Sequence, residues 1–221
     1  LATCVLPGTA LAASTGQLDA FGSNVLGQLG SPNGLGGSEP NPSLVTLPGA
    51  TGAVTEVAAG GEHTLAVTAS GQLYAFGYNS TGQLGSTTNN GTINPNPTPT
   101  LVTLPGAAGP VPAIAAGRFH SLAVTASGQL YAFGYDVNGQ LGIPVPPLGY
   151  TPTPTLVTLP GAVGPVIDVA AGGEHSLAVT ASGQLYAFGK NRFGQLGNAT
   201  NNGTLAPNPT PTLVTLPGQV G

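Results

Sequence analysis

The sequence predicts an all-β fold, a β-propeller-type array of about four four-stranded antiparallel blades. Three observations predict it. The stretch AGGEHTLAVTASGQLYAFGYNSTGQLG at 59–85 returns nearly letter for letter at 116–142 and 171–197, and STGQLDAFGSNVLGQLG at 14–30 is a worn fourth copy. The Gly-Gln pair at Gly16, Gly71, Gly128 and Gly183 and the Thr-Leu-Pro-Gly run at Thr46, Thr103, Thr158 and Thr215 keep one beat of about 55 residues. Between these landmarks apolar residues alternate with period two, and no helical period appears. The chain therefore reads as one repeat array over 1–221, with units near 1–52, 53–109, 110–164 and 165–221.

The second unit justifies the elements in order. Its first strand is expected over 54–59. The next, over 63–69, puts His63, Leu65, Val67 and Ala69 on one face and Thr64, Ala66 and Thr68 on the other. Ser70-Gly71 makes the hairpin turn, Gly supplying the positive φ that such turns need. A third strand over 72–76 carries Leu73, Tyr74, Ala75 and Phe76 consecutively, the pattern of a strand covered on both faces. After the Gly82-Gln83-Leu84-Gly85 turn and a polar connection, the fourth strand is expected over 100–104, ended by Pro105-Gly106. Repeated four-stranded antiparallel units describe propeller blades. A parallel β-helix is the alternative, but its coils are shorter and lack internal hairpins.

At these residues the chain resembles the regulator of chromosome condensation repeat family. The resemblance rests on Gly-Gly-x-His-Ser/Thr-Leu-Ala, the Gly-x-Leu-Tyr hairpin, an aromatic-Gly pair and Asn-x-x-Gly-Gln-Leu-Gly. It covers three units fully and the second half of the first. Phe21, Phe76, Phe133 and Phe188 stand where that family usually has Trp, which keeps an aromatic plug. The resemblance implies a propeller, commonly seven-bladed, and four units are too few for that ring. A piece of a longer array, two chains completing one larger ring, and head-to-tail continuation into an open assembly each satisfy this mismatch. The resemblance also implies a protein-binding role, as an exchange factor for a small GTPase or an inhibitor gripping an enzyme.

Composition narrows the function. Only 5% of residues are charged and the net charge is −4. Three cations, Arg118, Lys190 and Arg192, cannot neutralise a run of phosphates, so no nucleic-acid partner is expected. No apolar run reaches the ~20 residues that a spanning helix needs, so no membrane insertion is expected either. Cys4 stands alone, forms no intramolecular disulfide and reads as a small core residue. The 36 Gly and 22 Pro fall at fixed phases and read as turns, not as disorder.

The candidate sites are weighed against repeat architecture. His63, His120 and His175 invite a catalytic or metal reading, but one per repeat at one phase is expected of structural histidines bonding to blade backbone. Glu62 and Glu174 recur at a position that is Phe119 in the third unit, and Asp19, Asp136 and Asp168 are scattered in phase. Gly85, Gly142 and Gly197 read as structural turn glycines, since no Lys and no helix follow to make a phosphate loop. No catalytic residue, cofactor or metal is expected.

Lys190, Arg192 and Phe193, with Tyr78 and Tyr135 at the Lys190 phase, form a candidate partner-contact patch. Asn79, Asn90, Asn198 and Asn202 are candidate glycosylation acceptors in Asn-x-Ser/Thr triplets. The connections at 31–43, 86–100, 143–155 and 198–212 differ most between units, which makes them candidate binding loops. Low charge, near-identical units and Thr/Asn/Pro-rich connections lead to the expectation of a non-enzymatic, extracellular or cell-surface structural protein. Its expected partner is itself, as a homo-oligomer or polymer building a fibre or surface layer; the alternative is the propeller that binds another protein.

Overall fold

The computed structural model describes residues 4–6, 9–14, 16–107 and 109–217, the first two segments through their backbone. Among the described residues sixteen strands form four antiparallel sheets, each built from four strands consecutive in the chain. The first holds β1 (Cys4–Leu6), β2 (Thr9–Ser14), β3 (Gln17–Ser23) and β4 (Ser38–Val45). The second holds β5 (Val54–Ala59), β6 (His63–Thr68), β7 (Leu73–Gly77) and β8 (Asn96–Leu101). In the third are β9 (Ala113–Ala116), β10 (His120–Val124), β11 (Leu130–Tyr135) and β12 (Tyr150–Val157). The fourth contains β13 (Val166–Ala171), β14 (His175–Thr180), β15 (Leu185–Gly189) and β16 (Thr212–Leu213). Antiparallel neighbours throughout exclude the parallel β-helix. The side chain of Cys4, and the reading placed on it, lie outside the described residues.

The outer strand starts earlier than the sequence predicts, at Asn96 in the second sheet. Asn96 donates its side-chain amide to the Gly77 carbonyl at 2.9 Å, anchoring the first residue of the strand. Pro97 and Pro99 are tolerated because an edge strand keeps one side free of ladder bonds.

The core lies between sheets rather than within one. Leu18, Ala20, Leu29 and Val45 of the first sheet's unit pack with Val57, Ala59, Ala66, Tyr74 and Phe76 of the second. The second and third sheets share Leu65, Val67, Leu73 and Leu84 with Ile114, Tyr131 and Phe133. Leu122, Val124, Leu130 and Leu141 meet Val169, Tyr186 and Phe188 between the third and fourth. The tyrosine hydroxyls Tyr74, Tyr131 and Tyr186 each donate to a carbonyl 26 residues earlier, at Pro48, Pro105 and Pro160 (2.7–2.9 Å). These bonds tie each fully buried Tyr to the Thr-Leu-Pro-Gly turn of the preceding unit. The first strands β5, β9 and β13 stand side by side along the inner edge, so the sheets fan around a common axis.

Candidate functional site

The repeated residues weld the sheets together. His63, at the start of β6, reaches into the third sheet, where its Nε2 lies 2.9 Å from the Ser121 hydroxyl. That hydroxyl donates its single proton back to the Gln83 carbonyl at 2.7 Å. With the proton so committed, the imidazole must donate, which fixes His63 as the Nε2–H tautomer. The next pair repeats the arrangement: His120 to Ser176 at 2.9 Å, Ser176 to the Gln140 carbonyl at 2.7 Å. Thr64 makes the backward bond to the Gln28 carbonyl at 2.8 Å, while the first unit carries Gly8 at the histidine phase. Repeat phase predicts histidines bonding blade backbone; in the structure His63 and His120 instead each bond a hydroxyl of the following blade.

Burial decides the protonation of these rings. His63 is held down to about 4 by desolvation. His120 falls to about 3 through desolvation, then through the neighbouring His63 and His175. Both are therefore neutral at pH 7, and each Nδ1 has no hydrogen-bond partner among the described residues. Glycine makes room for them: a Cβ at Gly60 would overlap the His63 ring and lie 2.7 Å from the Gly117 carbonyl. His175 is only half-buried and its pKa is lowered by desolvation as well. Among the described residues no group of three or more His, Cys, Asp or Glu side chains gathers to hold a metal.

Gly85 and Gly142 lie against the aromatic plug of the following sheet, an added Cβ meeting Phe133 at 3.2 Å and Phe188 at 2.9 Å respectively. At Gly197 the Cβ would meet Val214, within its own unit. The same turns hold a buried amide. Asn79 accepts from the Leu84 N–H at 2.9 Å and donates to the Ser86 and Thr88 carbonyls at 2.9 and 2.7 Å. Asn24 and Asn191 build the same clamp in their units. A glycan on Asn79 would need the nitrogen that this fully buried clamp uses, so the structure corrects that acceptor reading. Asn198 is half-buried and bonded through Nδ2 to the Thr212 hydroxyl. Asn90 is half-buried and Asn202 exposed.

What differs between units gathers at one end of the array. Tyr78 packs edge-on against Phe119, ring centroids 6.3 Å apart, and the Arg118 guanidinium sits 5.0 Å over the same ring. Arg118 N–H donates to the Gly173 carbonyl at 3.2 Å, beside the ion pair of Glu174 with Lys190. Two residues on, Arg192 lies 5.5 Å over Phe193, which is 80% exposed. All three basic residues of the chain thus share one face. Gly60, Gly61, Gly117, Arg118, Gly172 and Gly173 line a cavity of about 360 Å³ there, at the axis.

The outer strands start at this end too, so the connections leading into them add Ile93, Leu148 and Leu205, 70–78% exposed. Deeper along the axis Glu56 accepts from the Ile114 N–H at 3.3 Å; its pKa is raised by desolvation, with Asp168 adding to the rise. The sequence places Lys190, Arg192 and Phe193 in this patch; Arg118 and Phe119 join it only in the structure, although in the sequence they replace the Gly-Glu pair found in two other units.

With this geometry in view, comparison with known proteins is specific. The model of the regulator of chromosome condensation repeat matches residues 15–67, 70–124, 127–179 and 182–220. The human E3 ubiquitin-protein ligase HERC2 is 37% identical over 204 residues, 90% of this chain and 4% of its own length. The Xenopus laevis regulator of chromosome condensation is 34% identical over 194 residues, 85% of this chain and 43% of its own. Human WBSCR16 superposes with a TM-score of 0.83 at 26% identity, over 99% of this chain and 53% of that one. Prp20p of Saccharomyces cerevisiae, solved with its binding properties to Gsp1p and histones, gives 0.74 at 27% identity over 95% and 49%. This chain spans at most about half the length of these proteins.

Relatives named for chromosome condensation, and a solved structure studied with histones, overturn the expectation of an extracellular or cell-surface protein. Nothing in these relatives points to a fibre or a surface layer.

Proposed function

The chain belongs to the regulator of chromosome condensation repeat family, its four sheets are propeller blades, and from that premise we propose that it is a protein-binding propeller segment. The observation that carries the reading is the division of labour among its residues. His63, Ser121, Gln83 and Phe133, with their repeats, are consumed in holding blades together, and Asn79 with its repeats in holding the turn that follows the third strand. Residues that break the repeat, Arg118, Phe119, Tyr78, Lys190, Arg192 and Phe193, lie exposed or half-exposed on one end beside exposed Ile93, Leu148 and Leu205. Arg and aromatic side chains are the types that anchor protein interfaces, and the scaffold under them is rigid. Each guanidinium over an aromatic ring is partly immobilised before any partner arrives, which lowers the ordering cost of binding.

Gsp1p and histones, the partners studied with the yeast relative, are the first probes. Biolayer interferometry of the chain against each would show binding to one of them. The paired variants Arg118→Ala/Phe119→Ala and Arg192→Ala/Phe193→Ala should each weaken it by about tenfold or more, given hot-spot costs above ~1 kcal/mol per anchor. Binding that is indifferent to both pairs would remove this face from the function; no binding to either probe would remove these partners.

A further inference from the structure

One buried group has no role in blade architecture as the other units build it. Asn24, Asn79 and Asn191 occupy one phase of their units, and the third unit has Asp136 there. Asp136 keeps half of the clamp, its Oδ1 accepting from the Leu141 N–H at 2.8 Å. The other half changes sign. Where the amides donate to two carbonyls of the following connection, Asp136 presents Oδ2, fully buried and without a hydrogen-bond partner among the described residues. A bare carboxylate oxygen cannot donate to a carbonyl, and a buried, unpaired charge is costly. A protonated oxygen can donate, as the amide does.

We propose that Asp136 is a buried proton-binding site, neutral in the folded protein, and that loss of its proton loosens the connection over 143–149 and its seat on the fourth blade. The surroundings support this. Asp136 N–H donates to the Gly149 carbonyl at 2.7 Å, closing the connection on itself, and the Asn138 carbonyl two residues on accepts from Asn208 N–H of the fourth unit at 3.0 Å. A Cβ at Gly139 would lie 2.6 Å from the Pro209 Cα, so this turn and the fourth unit's connection are in close contact. Desolvation pushes the carboxyl up to about 7, opposed only by the Leu141 N–H, and no ionised side chain acts on it. The titratable groups on the elements around it are the phenols of Tyr135 and Tyr150, which face each other across β11 and β12, and the neutral His120 at the start of β10.

The sign follows from the raised folded pKa. Between the unfolded value of 3.8 and about 7 the folded chain holds a proton that the unfolded chain has lost. The Asp136 contribution to stability and to loop closure is therefore greatest at the acidic side of that window and declines as pH rises through it. Asp136→Asn restores the residue that three sister units use, so it should fold, and it removes the titration.

The test is carboxyl-carbon NMR titration of the full chain together with amide hydrogen exchange of Leu141 and Gly142, expressed as protection over the intrinsic rate at each pH. The Asp136 carboxyl should titrate near neutrality. Protection in the wild type should match Asp136→Asn at pH 5 and fall below it by about tenfold or more at pH 8. A carboxyl titrating in the ordinary carboxylate range would overturn the proposal, as would equal protection in the two proteins at both pH values. Protection at pH 8 that depends on added Na⁺ or Ca²⁺ would also overturn it, in favour of a cation at Oδ2.

Discussion

Ser121→Ala is the sharpest probe of how the blades cohere. The hydroxyl of Ser121 satisfies two groups of the second blade at once, the His63 imidazole N–H at 2.9 Å and the Gln83 carbonyl at 2.7 Å. Ser121 and His63 are 0% and 1% exposed, so water cannot take over either bond without opening the interface. A buried polar group left unpaired costs about 1–3 kcal/mol, and two are left here, which puts the loss at about 2–6 kcal/mol. That is a large share of the ~5–15 kcal/mol that holds an ordinary domain folded.

Urea denaturation followed by tyrosine fluorescence measures it. With an m-value of about 2–3 kcal/mol/M the midpoint should fall by about 1 M or more. Ser127→Ala is the control, since its hydroxyl is exposed in the hairpin turn, and it should cost under about 0.5 kcal/mol. A double-mutant cycle with His63→Ala should return a coupling of about 1 kcal/mol or more. Ser121→Ala behaving like Ser127→Ala, or additivity with His63→Ala, would refute the weld.

Acid should weaken the same interface. Because His63 and His120 sit at about 4 and about 3 when folded against 6.5 when unfolded, their contribution is constant above pH 6.5 and lost as pH falls towards 4. The urea midpoint should drop across that window, and less so in His63→Gln. Phe133→Ala, removing a fully buried plug between the second and third blades, should cost about 3–5 kcal/mol in the same assay. Gly60→Ala should cost about 1–3 kcal/mol by driving a methyl into the His63 ring, with a shift of the His63 ring resonances as its signature. Lys190→Ala should change stability by under about 1 kcal/mol, because the ion pair with Glu174 is 23% and 32% exposed and water shares it.

Much of the fold was legible because repetition turns a local pattern into a global one. Period-two alternation in 63–69 and the glycine at 71 specify a hairpin wherever they occur, and four copies specify four sheets. The outer strand was misplaced because its first bond is made by a side chain, Asn96 to Gly77, that period-two alternation does not register.

The sites divide in the same way. That the histidines belong to the repeat is readable from their phase; that His63 and His120 bond the next blade's serine is not, since residues 58 and 56 positions apart meet only when two sheets stack. Asp136 looks out of phase until the units are laid over one another, and even then a carboxylate in an asparagine column says nothing about burial. Hairpins and turns could be read from the chain alone, because they depend on residues close in sequence, and their repetition carries that reading to every unit. Which faces are dry, and which end gathers Arg118, Phe119, Lys190 and Arg192, emerged only from the stacked blades, because desolvation and close approach are properties of surfaces brought together from different units.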